Sequence, residues 1–109
     1  METTNNFKIL NPEEFSKAIE APDVVTVDVR HRDEYNSGHI KGARNIDVQD
    51  PDFIKLAEKE LPKDIPIAVY CGTGKRSGMA SDILSKNGYT VVDLDGGLTA
   101  WKAAGLPVG

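Results

Sequence analysis

The stretch Ile65-Pro66-Ile67-Ala68-Val69-Tyr70-Cys71-Gly72-Thr73-Gly74-Lys75-Arg76-Ser77-Gly78 sets two structural signals end to end. Ile65 to Tyr70 is apolar without alternation, which predicts a strand covered on both faces. Glycines break the run. From Ser77 to Lys86, Met79, Ala80, Ile83 and Leu84 then recur at helical spacing, and Asn87-Gly88 supplies a left-handed stop. A buried strand that passes through a glycine loop into a helix is half of a parallel crossover unit.

The same signals repeat outward. Val24-Val25-Thr26-Val27-Asp28-Val29 and Thr90 to Leu94 are further β-branched runs. Helical segments separate the strands. Asn11 can cap, Pro12 suits a first helical position, and Glu14 stands where a capping box needs its acid. Phe15, Ala18 and Ile19 follow on one face, and Ala21-Pro22 closes that helix. Pro51 to Glu60 reads as a helix capped by Asp50 and stopped at Leu61-Pro62, and Leu98 to Ala104 as a short one with Trp101 inward. Buried strands alternating with helices predict an α/β layered domain built on a parallel sheet. Such sheets take ligands beyond the carboxyl ends of their strands, which directs attention to the residues after Val27, Tyr70 and Leu94.

Composition bounds the function. With 109 residues, 39% hydrophobic and 28% charged, the chain has the size and usage of one globular domain. Thirteen Lys and Arg against 17 Asp and Glu give a net charge of −4, which disfavours nucleic acid and anionic lipid as partners. No apolar run is long enough to span a bilayer, and the first residues carry no secretory signal, so a cytoplasmic protein is expected. Residues 1–6 are polar and are expected to form a flexible tail. One cysteine excludes an intramolecular disulfide and any multi-cysteine metal site.

That cysteine, Cys71, follows the strand directly. A free cysteine is commonly an inert core residue, but this one has three activating neighbours. It lies at a strand's carboxyl end, Gly72 and Gly74 let consecutive N–H groups turn inward as an anion nest, and the next helix begins beside Lys75 and Arg76. Each favours the thiolate over the thiol. A nucleotide loop is the competing reading, but the segment lacks both the G-x-x-x-x-G-K-[S/T] pattern and the third glycine of a dinucleotide fingerprint.

Asp28-Val29-Arg30, then Glu34-Tyr35-Asn36-Ser37-Gly38-His39-Ile40-Lys41-Gly42-Ala43-Arg44-Asn45-Ile46, then Tyr70 to Ser77, occur in order. Gly88-Tyr89, Gly96-Gly97, Ala100-Trp101 and Gly105-Leu106-Pro107-Val108 complete the series. Over about Ile9 to Val108 the sequence resembles the rhodanese-like domains, a family of sulfurtransferases. The resemblance implies a roughly five-stranded parallel sheet with helices on both faces, one such domain covering residues 7–109, and neither metal nor organic cofactor. It makes Cys71 the carrier of a sulfane sulfur as a persulfide. Gly72, Thr73, Gly74, Lys75, Arg76 and Ser77 then form the substrate-binding loop, with Asp28 and Arg30 in support. A small anionic donor such as thiosulfate, or a protein donor or acceptor, is the implied partner, and the chain is expected to be a monomer or weak dimer.

Two departures bear on the donor. Two-domain thiosulfate and mercaptopyruvate enzymes usually carry an arginine where this chain has Glu34. The loop also joins Cys71-Gly72-Thr73-Gly74, similar to the mercaptopyruvate type, to Lys75-Arg76-Ser77, similar to small thiosulfate enzymes. Related phosphatases separate cysteine and arginine by five residues rather than the four between Cys71 and Arg76, a tighter loop for a tetrahedral oxyanion. A sulfur carrier or interaction module working between proteins is the alternative to a thiosulfate enzyme.

Other residues carry blander expectations. Asp28 and Arg30 suit an ion pair that holds the turn after a strand. Arg76 suits either a cation beside the thiolate or a helix-start salt bridge, and Lys75 a solvated side chain. His31 and His39 have no partners at ligand spacing and suit surface or structural roles. Gly96-Gly97 suits backbone turns near the loop. Asp47, Asp50, Asp52, Glu58 and Glu60 read as a solvated face that could alternatively dock a basic protein.

Overall fold

The computed structural model describes residues 7–109; the tail expected over residues 1–6 lies outside the described residues. The elements run β1 (Phe7–Leu10), α1 (Pro12–Ala18), β2 (Val25–Asp28), α2 (Arg32–Asn36), β3 (Arg44–Asn45), α3 (Phe53–Glu60), β4 (Ile67–Tyr70), α4 (Lys75–Lys86), β5 (Val91–Leu94) and α5 (Gly97–Ala103). Every strand pair is parallel, and the order across the sheet is β1-β5-β4-β2-β3.

The three β-branched or apolar runs are the three central strands, and all four residues of β4 are buried. Successive β4 side chains point to opposite faces. Val69 joins a core with Val27, Phe53 and Ala57 of α3, and Ala80 and Leu84 of α4. Ala68 and Tyr70 join a second core with Phe15 of α1 and Leu98 and Trp101 of α5. Helices therefore cover both faces.

Local chemistry explains the helix ends. The α1 capping box forms as expected: the Glu14 N–H donates to Asn11 Oδ1 at 2.9 Å, and the Asn11 N–H donates to Glu14 Oε1 at 3.0 Å. α3 begins at Phe53 rather than Pro51, because Asp50 Oδ1 accepts from the Asp52 N–H at 2.8 Å and makes a turn there. α4 begins at Lys75, two residues ahead of the expected Ser77, because Gly74 enters at φ +106°. α5 runs Gly97–Ala103, one residue ahead of the expected Leu98 to Ala104. Met79 does not join the α4 stripe and is 55% exposed. Ser77, Ser81 and Ser85, four residues apart, line the buried side with Ala80 and Leu84, since small side chains let the helix approach closely.

Candidate active site

The position of Cys71 follows from strand geometry. Cys71 is one residue past the end of central β4, on the same face as Val69, and is 1% exposed. The chain curls at once, and the Gly74 N–H donates to Cys71 Sγ at 3.0 Å. Ser77, fully buried in the first turn of α4, brings its hydroxyl to 3.5 Å from the same sulfur, and that hydroxyl donates to the Gly74 carbonyl at 3.3 Å. The positive φ of Gly74 makes this curl possible.

A second helix clasps the loop from the other side. The Leu98 N–H donates to the Cys71 carbonyl at 2.8 Å, and the Thr99 N–H donates to the Gly72 carbonyl at 3.0 Å. These are unpaired donors of the first turn of α5, spent on the backbone of the cysteine loop. Gly97 permits the approach: at φ +60°, a Cβ there would stand 2.6 Å from the Cys71 carbonyl oxygen and 2.6 Å from the Gly72 carbonyl carbon. The glycines expected to serve turns near the loop thus let a helix end press onto it. Nothing in the sequence pattern pointed to Leu98 or Thr99, because their contribution is a main-chain one.

The two loop cations face different surroundings. Lys75 is exposed, has no salt bridge among the described residues, and lines a cleft with Ile9, Asp93 and Asp95 that Cys71 does not line. Arg76 is paired: Nη1 donates to Glu34 Oε1 at 2.7 Å and Nη2 to Glu34 Oε2 at 3.0 Å. This is the helix-start salt bridge, reached across 42 residues of sequence. The hydrogen bond from Arg76 holds the Glu34 carboxyl down to about 2, against partial burial that opposes it. Glu34 Oε1 also accepts from the His31 N–H at 3.1 Å, so one carboxylate ties the start of α2 to the loop.

Asp28 and Arg30 form a pair of their own. The Asp28 carboxylate accepts from the Arg30 backbone N–H at 3.0 Å and from Nη2 at 2.7 Å, and Nη2 also donates to the Gly38 carbonyl at 2.7 Å. Both residues are buried, and this pair fastens the end of β2 to the segment after α2. His31 Nδ1 lies 2.6 Å from Asp47 Oδ2, which raises the imidazole's proton affinity. His39 stacks on Tyr35 with ring centroids 3.8 Å apart. Among the acids of the supposed solvated face, Asp47 holds His31, Asp50 holds a turn and Glu58 holds Lys63.

A model of the rhodanese-like domain matches residues 11–104. The chain belongs to the rhodanese-like domain family. The thiosulfate sulfurtransferase GlpE of Pseudomonas fluorescens is 37% identical over 84% of this domain and 82% of its own length. The tRNA uridine(34) hydroxylase of Staphylococcus carnosus is 36% identical over 92% of the domain, which spans only 32% of that protein. Among solved structures, a rhodanese-related protein of Thermoplasma volcanium superposes with a TM-score of 0.82 at 30% identity, covering 94% of this chain and 98% of that one. This rhodanese-like domain thus has sulfurtransferases among its relatives. Among its described residues no helix is long and apolar enough to cross a membrane.

Proposed function

We propose that this rhodanese-like domain is a sulfurtransferase that carries a sulfane sulfur on Cys71, taken from thiosulfate or a persulfide donor. The observation that carries the reading is the 3.0 Å hydrogen bond from the Gly74 N–H to Cys71 Sγ at the carboxyl end of the central strand. The curl of Gly72, Thr73, Gly74, Lys75, Arg76 and Ser77 offers N–H donors for a second sulfur bonded to the first. The name of the Pseudomonas relative supports thiosulfate as a donor. A cytoplasmic setting suits a nucleophile that must stay reduced.

The chemistry balances without an outside electron source. The Cys71 thiolate attacks the outer sulfur of thiosulfate, the sulfur–sulfur bond of the donor breaks, and sulfite leaves with the bonding pair. Cys71 is left as a persulfide anion. A thiophilic acceptor such as cyanide or a thiolate then takes the outer sulfur, and the Cys71 thiolate returns.

Intact-mass measurement after exposure to thiosulfate tests this directly. The wild type should gain one sulfur atom, cyanide should remove it, and Cys71→Ser should gain none. A wild type that takes up no sulfur from thiosulfate or from a persulfide, or a variant that turns over undiminished, overturns the reading.

A further inference from the structure

Arg76 belongs to the proposed sulfur-binding loop, and its charge is already matched. Its guanidinium lies across the first glycine of the loop, where a Cβ on Gly72 would come within 3.3 Å of Nη2. From there two N–H groups reach the two oxygens of Glu34. Neither side chain is free in solvent: Arg76 is 25% exposed and Glu34 35%. His31 Nδ1 and Asp47 Oδ2 lie 2.6 Å apart beside this pair, and any charge that Asp47 keeps adds to the negative side of the balance at Arg76. Arg30 is likewise closed on Asp28. Lys75 belongs to the cleft on the β1–β5 side.

The geometry points to Glu34 as a specificity-determining residue: by holding Arg76 in a bidentate pair at the rim of the Cys71 loop, it disfavours dianionic donors relative to singly charged persulfides. The inference rests on the sulfurtransferase reading and refines its donor class. The reason is the charge gathered at the reacting sulfurs. The thiolate and thiosulfate bring three negative charges together, and the products, a Cys71 persulfide anion and sulfite, carry the same three. A thiolate and a persulfide anion R–S–S⁻ bring two. Attack on the outer sulfur breaks the donor's sulfur–sulfur bond, leaves the Cys71 persulfide anion, and releases R–S⁻, which takes a proton from water. A rim whose arginine is neutralised meets the smaller charge more readily than the larger one.

The test compares rates of sulfur loading with thiosulfate and with cysteine persulfide, in the wild type and in Glu34→Gln. Glutamine keeps an oxygen for the His31 N–H, so the start of α2 retains its cap while Arg76 regains an unmatched charge. The expected result is a rise of about fivefold in the ratio of kcat/KM for thiosulfate to kcat/KM for the persulfide, the scale of one partly exposed ion pair. The gain should come mainly through KM and should shrink at high salt. An unchanged or lowered ratio, with only a fall in Tm, overturns the inference and leaves Glu34 as a tether of α2. Should Glu34→Gln fail to fold, the wild type decides. Thiosulfate loading that changes less than about twofold over a tenfold rise in salt, with the persulfide as the better donor, supports the inference. Steep loss of thiosulfate loading with salt overturns it. Failure to load Cys71 from either donor is a different result and overturns the sulfurtransferase reading itself.

Discussion

Asp93 is a carboxyl enclosed where its charge has little support. It sits in β5 at 4% exposure, and its Oδ1 has no hydrogen-bond partner. Burial pushes its pKa up to about 6, the Ser77 hydroxyl and the Leu94 N–H pull against that, and Asp95 adds to it. Between the ordinary aspartate value and 6 the folded chain binds a proton that the unfolded chain has released, so stability falls as pH rises through that window. Asp93→Asn should therefore gain roughly 1–3 kcal/mol in urea unfolding at pH 8 and little at pH 4. Glu34 runs the other way: held near 2, it stabilises the fold above the usual glutamate range and loses that contribution in strong acid. Gly97 sets a steric limit at the same scale. Gly97→Ala adds a Cβ 2.6 Å from loop backbone at a positive φ, and should lower both Tm and sulfur loading. Gly105→Ala, at φ +78° with nothing within 4 Å, should lower Tm alone.

Among the elements, α1 depends most on a local signal. Replacing Asn11 with alanine breaks the reciprocal bonds with Glu14 and should cost about 1 kcal/mol in thermal unfolding, with the loop chemistry unchanged. The capping box was legible because both partners lie within one turn. The central strands β2, β4 and β5 were legible because burial on both faces leaves β-branched and apolar runs with few polar interruptions. β1 was not, since on this edge strand Lys8 and Ile9 are exposed, Ile9 at 60%, and no buried run shows. β3, with two residues, is too short for any period to show. Nor was α2, which buries no residue and so has no apolar stripe. Met79 was placed wrongly because hydropathy cannot tell that close helix packing favours serines. At the site, Cys71 and its glycines were legible from the strand-to-loop order. The Glu34 partner of Arg76 was not, because only the assembled sheet brings α2 to α4.

Across the whole molecule, sheet order decides what gathers. With β4 between β5 and β2, the ends of three strands converge, and Asp28, Cys71 and Asp95 fall along one edge. The Asp28–Arg30 pair holds that edge to Gly38. Asp28→Asn would strand a buried guanidinium, and chemical denaturation should show a loss of about 3–5 kcal/mol. Replacing both partners with apolar residues should lose less, since no unpaired charge then remains. The α5 clasp reaches furthest, because it couples the backbone of Cys71 to the start of a separate helix. If Cys71 carries a sulfur as proposed, its own carbonyl and that of Gly72 lie next to the change, and the amide protons of Leu98 and Thr99 are bonded to them. In a nitrogen–proton spectrum those two signals should shift together as the cysteine is loaded and return as it is emptied, reporting the occupancy of a buried sulfur without any label placed near it.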